Sequence, residues 1–424
     1  ARWPECPCGR GAPPATMRSR CTAAVLPAIS LALFLGRGRR KKPKPAPFPF
    51  IEWTTALTHV HPVDSLPWTP TLTCEPPAWP LMGRFDLLMV PVSPHTEADH
   101  CLPVDGQPWV SSSPAGDVQT VWAAPHALPM LLEVAASTFD PGHADRVVVF
   151  SGTEMPLSRA FGSTDAERAA TVAQLRRYFG RILYQTKDIA LEHVRLAPMG
   201  LGWGYMLRVM AEWLTDNAKG GPNPYQRFAD WATEVFTANI SNKTRGVLAS
   251  WGKAASWLED PEIYEKLPVL ESLGRLLPPS NSSLQATEAG YWSRKQLRAW
   301  AASPRARAAA VEHRSFGCAE WWRELRKYRF LLCPFGSGIQ TSKAVEALLV
   351  LTVPIVQRMG FVTYDELAEL GFPIVVVERW EEVTPDSTAE WWQALSPRLE
   401  SFRRNCLTVE GYWRMYTGLA DRCV

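Results

Sequence analysis

The sequence predicts an α/β protein of two doubly wound domains with a cleft between them. Three observations carry this expectation. All-apolar runs such as Arg146–Ser151 (RVVVFS), Val353–Gln357 (VPIVQ) and Pro373–Val377 (PIVVV) read as strands buried on both faces. Helix-period segments alternate with them, as parallel strands require. The alternation runs twice, in blocks 52–240 and 241–424. At 424 residues, roughly two to three domains of about 150 residues are expected.

In the first block, residues 52–135 are rich in Pro and Trp and read as loops around short strands such as Phe85–Val92. Arg146–Ser151 is a strand ending at Gly152. Ala166–Tyr184 reads as one helix, with apolar residues at Val172, Leu175, Phe179 and Ile182. Val194–Leu196 is a short strand ending in Pro198-Met199-Gly200, and Met206–Asn217 reads as helical.

The second block begins with a strand at Gly246–Ser250. Arg294–Glu312 reads as a helix interrupted near Pro304, and Cys318–Lys327 as another helix. Arg329–Cys333 is a strand and Thr341–Leu351 a helix. Val353–Gln357, Tyr364–Leu370 and Pro373–Val377 continue as strand, helix, strand. Helices from Thr388 onward close the chain.

Charge is unevenly spread. Residues 1–45 hold ten Arg or Lys and one acid, whereas the other 379 hold 35 basic and 41 acidic side chains. A mildly acidic body argues against a nucleic-acid footprint. Met17 reads as the start, which leaves 1–16 as a gene-model leader. Arg18 and Arg20 precede the apolar run Cys21–Gly36, so 17–36 is expected to be a signal peptide or a signal anchor, with an organelle transit peptide as the alternative. No clean A-x-A site follows it, which favours an anchor holding the chain to a membrane. Residues 37–51 form a basic, proline-rich stem.

Nine cysteines show no C-x-x-C spacing, which sets aside a zinc ribbon or a redox pair. Pairings Cys74–Cys101 and Cys406–Cys423 are open in an oxidising compartment, and sequence does not decide them. Three N-x-S/T sequons, at Asn239, Asn242 and Asn281, support a lumenal body. His59 and His61 lack a third ligand nearby, so no metal is expected there. Gly246–Lys253 departs from a phosphate loop in spacing, and Ala254 stands where that motif needs Ser or Thr.

The chemistry concentrates in Tyr328–Leu348, YRFLLCPFGSGIQTSKAVEAL. A strand, a turn Gly336-Ser337-Gly338 and a helix start follow in that order. Such an order aims backbone N–H groups and the positive helix end at an anion. Lys343 suits phosphate, and Glu346, one turn on, suits ribose hydroxyls. Arg245, at the mouth of the preceding strand, is a further phosphate candidate. Each has a bland reading too: a plain strand–helix turn, a solvated lysine, a structural ion pair.

The same region resembles the C-terminal half of exostosin-type inverting glycosyltransferases. The matching residues are Pro334, Gly336, Gly338, Glu346-Ala347-Leu348, Pro354-Ile355-Val356, Pro373-Ile374-Val375 and Trp380. The resemblance is strong over about 315–390 and weaker over 146–202, where VVVFSGTE and LAPMGLG match the sugar-transferase N-domain. Related sequences often place Asp, His and Arg between the glycine loop and the Glu; here Gln340, Ser342 and Lys343 stand there.

The resemblance implies two facing Rossmann-like domains, a GT-B-like fold. It implies transfer of a sugar from a nucleotide-sugar donor to a glycan or glycoprotein, with inversion. The body would be lumenal, in the Golgi or endoplasmic reticulum. No D-x-D occurs, which fits metal-independent chemistry with the donor as co-substrate and no cofactor. Glu154, in the turn after the Arg146–Ser151 strand, is the candidate base; its bland reading is an ordinary turn acid. Two rivals remain. One is a non-catalytic relative serving as a binding or scaffold protein. The other is a dehydrogenase-like enzyme, opposed by the lack of an early G-x-G-x-x-G unit.

Overall fold

The computed structural model describes residues 68–69, 84–89, 109–111, 118–142, 145–152, 154–202, 237–250, 286–336 and 338–424. The leader, the signal or anchor segment, the stem, Cys74, Cys101, Asn281, the Met206–Asn217 segment and Ser337 lie outside them.

The first lobe carries β1 (Trp68–Thr69), β2 (Leu87–Met89), β3 (Trp109–Ser111), β4 (Thr120–Ala123), α1 (Leu128–Thr138), β5 (Val147–Phe150), α2 (Leu157–Ala160), α3 (Asp165–Arg176), β6 (Arg181–Tyr184), β7 (Val194–Leu196) and β8 (Leu201–Gly202). Six strands form one sheet in the order β3-β2-β4-β5-β6-β7. Only β3 runs antiparallel, paired with β2 at an edge. β1 and β8 form a separate two-stranded parallel pair.

The second lobe carries β9 (Arg245–Ala249), α4 (Ala286–Ala301), α5 (Pro304–Ala308), β10 (Val311–His313), α6 (Cys318–Leu325), β11 (Tyr328–Cys333), α7 (Ser342–Leu349), β12 (Val353–Gln357), α8 (Thr363–Glu369), β13 (Val375–Val377), α9 (Pro385–Asn405) and α10 (Val409–Thr417). Its five strands are all parallel, in the order β10-β9-β11-β12-β13. The order reverses between β9 and β11. In open parallel sheets that switch point opens a crevice at the carboxyl ends of the strands, where ligands bind.

Burial explains the all-apolar strands. Val147 and Val149 pack in the core cluster that continues into the second lobe, whereas Val148 and Phe150 pack in a separate cluster with α1 and α3. Each such fully buried side chain is worth about 1.5–3 kcal/mol. α10 crosses back to the first lobe, with Trp413 edge-on to Phe85 at 5.2 Å between ring centroids. Its Tyr412 and Tyr416, one turn apart, donate to Met199 O and Pro198 O, each at 2.8 Å. A disulfide joins Cys406 to Cys423 across the α10 segment.

Four elements depart from expectation. The helix begun at Ala166 ends at Arg176, and Arg181–Tyr184 is strand β6. The apolar residues of that strand happened to continue the helical period past the turn at Gly180. Val311–His313 forms edge strand β10, where continued helix was expected. Three residues with a central Glu312 carry no strand signal of their own; pairing with β9 supplies it. Thr120–Ala123 and Leu128–Thr138 form β4 and α1 inside the stretch read as loops. No described helix is long and apolar enough to cross a membrane.

Candidate functional site

The turn after β11 is held in place from beneath. The ring of Phe335 is buried and stacks on Tyr364 of α8, with centroids 5.7 Å apart. Tyr364 Oη donates to Ile339 O at 2.7 Å. One side chain thus braces both ends of the turn. Gly336 is half-buried, and a Cβ built there would meet nothing closer than 3.9 Å. Gly338 is buried, and a Cβ on it would stand 3.4 Å from Glu154 Cγ. Ser337, between them, lies outside the described residues.

Glu154 therefore reaches the turn from the other lobe. It follows β5, beyond Ser151, whose hydroxyl accepts from Trp122 Nε1 at 2.7 Å. The next residue, Met155, is tied by Tyr184 Oη donating to its carbonyl at 2.9 Å. The carboxyl ends of β5 and β11 thus face each other, and Glu154 and Gly338 meet there.

Lys343 occupies the switch point. Its Nζ donates to Ser250 O, just past β9, at 3.1 Å and lies 4.7 Å from the centre of the Trp321 ring. The indole N–H of Trp321 donates to Glu346 Oε2 at 2.7 Å. Glu346 is buried, and that burial raises its carboxyl pKa. The Lys343 ammonium and hydrogen bonds from Trp321 and Ser342 pull it partly back. Lys343, Trp321 and Glu346 form one connected group at the crevice. The helix start itself is partly satisfied at home: Thr341 Oγ1 accepts from Lys343 N at 3.4 Å, and Thr341 O from Ala344 N at 3.0 Å.

Arg245 is not part of this group. It starts β9 and pairs in register with Tyr328, the first residue of β11. The loop lies past the last residue of β11, about 16 Å away along the strand. Arg245 Nη1 instead meets Glu312 Oε2 at 2.8 Å and Tyr328 Oη at 2.9 Å. The expectation that it lies at the mouth of the site took the wrong end of the strand.

The roles of Gln340, Lys187 and Arg294 carried no recognisable signal in the sequence. Gln340 binds the lobes together: its Nε2 donates to Gln185 O and, at 2.9 Å, to Ala197 O, while its Oε1 accepts from Met199 N at 2.8 Å. Lys187 pairs with Glu366 beside it, and Glu366 Oε2 also accepts from Leu196 N at 3.1 Å. Arg294 of α4 donates from Nε to Phe335 O at 2.8 Å. Nothing in the spacing of α4 ties that helix to a loop some forty residues on.

No family model matches the chain, and no curated protein matches it in sequence. Among solved structures, it is similar to an α,α-trehalose-phosphate synthase (UDP-forming) from Burkholderia vietnamiensis, with 14% identity, 70% of each chain covered and a TM-score of 0.26. A likeness that slight fixes neither the fold nor the activity of this chain.

Proposed function

We propose that this chain is a glycosyltransferase with two Rossmann-like lobes. In this reading it moves a sugar from a nucleotide-sugar donor to a glycan or glycoprotein hydroxyl, with inversion and without a metal clamp. One arrangement carries the proposal. A glycine turn and Lys343 sit at the switch point of a parallel sheet, with the Glu154 carboxylate of the opposite lobe against Gly338.

The chemistry follows from that arrangement. The donor diphosphate lies on the backbone of the Gly336–Gly338 turn beside Lys343, and Glu346 accepts from the ribose hydroxyls. Glu154 takes the proton of the acceptor hydroxyl as its oxygen attacks the anomeric carbon. The bond from that carbon to the diphosphate oxygen breaks, and the departing charge is held by the turn and the ammonium. Closed lobes exclude water and so limit hydrolysis of the donor.

A lumenal, membrane-anchored body in the Golgi or endoplasmic reticulum is part of the same proposal. The Cys406–Cys423 disulfide supports an oxidising compartment. The sequon residues Asn239 and Asn242 are exposed, as glycan acceptors must be.

The test is release of the free nucleotide, UDP or GDP from the diphosphate-linked sugars and CMP from CMP-linked ones, with and without glycan acceptors. Acceptor-dependent release supports a transferase. Binding without release favours the non-catalytic relative, for which Gln340 is the relevant observation. The residue is spent on holding the lobes together, where related sequences carry Asp.

A further inference from the structure

α4 lies directly on the glycine turn. Gly290 is buried, and a Cβ on it would stand 2.8 Å from the carbonyl oxygen of Gly336. Only a residue without a side chain lets the helix come so close. Arg294 is four residues further along the same helix face. Its Nε donates to Phe335 O at 2.8 Å, and one terminal guanidinium nitrogen lies 4.0 Å from where a Gly336 Cβ would be. The Nε bond fixes the guanidinium plane beside the half-buried surface of Gly336. Lys343 comes to the crevice from a different element, α7, and is turned toward Ser250 O and Trp321.

We propose that Arg294 is a second cation of the donor site, binding the diphosphate over Gly336. This rests on the reading of the crevice as a nucleotide-sugar site. A guanidinium offers two parallel N–H donors to one phosphate group, which a single ammonium does not. The phosphate nearer the sugar carries the charge that grows as the glycosidic bond breaks. Its bond to Phe335 O holds the guanidinium beside the turn where that charge grows. Arg294 therefore distinguishes a diphosphate from a monophosphate or a bare nucleoside.

The experiment is calorimetric titration of the full chain with UDP, UMP, GDP, GMP and inorganic pyrophosphate, for wild type, Arg294→Gln and Arg294→Lys. Thermal midpoints of all three proteins are measured in parallel. Arg294→Gln is expected to weaken diphosphate and pyrophosphate binding at least tenfold while changing monophosphate binding less than threefold. Arg294→Lys is expected to recover part of the loss. An equal fall for mono- and diphosphates would make Arg294 a support of the turn only, and overturn the proposal. Unchanged diphosphate affinity in Arg294→Gln overturns it as well. A wild type that binds no diphosphate and no pyrophosphate overturns the nucleotide-sugar reading together with it.

Discussion

Glu154 of the first lobe rests on Gly338 of the second, so that any side chain at 338 would meet the Glu154 side chain at 3.4 Å. The two residues are 184 positions apart in sequence and belong to turns after different sheets. In the proposed reading, their meeting puts a carboxylate where a base is needed and a bare backbone where phosphate is needed. The same reading sets an acidic side chain against an anion site. In that reading donor binding must move Glu154 aside from the turn.

Glu154→Gln separates these roles. Transfer is expected to fall at least about a hundredfold, the scale of a lost general base. Nucleoside diphosphate binding is expected to hold or tighten, because a repelling charge is gone. Initial rates and a titration of the same preparation measure both. Full activity in the variant removes Glu154 from the chemistry.

Lys343→Ala is expected to weaken nucleoside diphosphate binding by about 1–3 kcal/mol, the range for a charged hydrogen bond. Titration at two salt concentrations checks it, since a lost charge also flattens the salt dependence. Unchanged affinity makes Lys343 a partner of Trp321 and Ser250 alone.

Glu346 is buried and its carboxyl pKa is raised chiefly by that burial. A group raised in the folded state binds its proton more tightly there than in the unfolded chain. Its contribution to stability therefore falls as pH rises from about 4.5, the ordinary value, through the higher folded value. Glu346→Gln removes the titration and leaves an oxygen for the Trp321 indole. The variant is expected to gain stability at pH 7 and to lose nucleotide affinity. Urea unfolding at pH 5 and pH 7 reads the first effect: the gain shrinks at the lower pH. A variant that is less stable at both pH values contradicts this account of Glu346.

Gln340 joins the lobes through Gln185 O, Ala197 O and Met199 N. Gln340→Ala leaves these buried groups unmatched and is expected to cost about 2–4 kcal/mol. Gln340→Glu is expected to cost more, because a carboxylate cannot donate to the two carbonyl oxygens. Chemical denaturation of the three proteins ranks them. An alanine variant as stable as wild type shows that the contact does not hold the lobes.

Most of the second lobe was legible because its central strands are buried on both faces and so nearly all apolar. Val353–Gln357 reads directly from VPIVQ, and Tyr328–Cys333 is close to the expected run from Arg329. The glycine turn, Lys343 and Glu346 could be picked out because strand, turn and helix are contiguous. β6 was hidden because Ile182 falls in phase with the α3 helix period. β10 was hidden because Val311–His313 is an edge strand whose register comes from β9. The roles of Arg294 and Gln340 were hidden for a common reason. Each acts on backbone brought to it by tertiary folding, and local pattern holds no trace of that. Arg245 misled because a strand has two ends, and only the carboxyl end faces the crevice.

The most direct measurement is the structure of the full chain in complex with the nucleoside diphosphate it binds most tightly. The account predicts the diphosphate within hydrogen-bonding distance of the backbone N–H groups at Gly336 and Gly338, with the Lys343 ammonium in reach. A diphosphate bound anywhere else, or a turn that stays covered by Glu154 with ligand present, contradicts it.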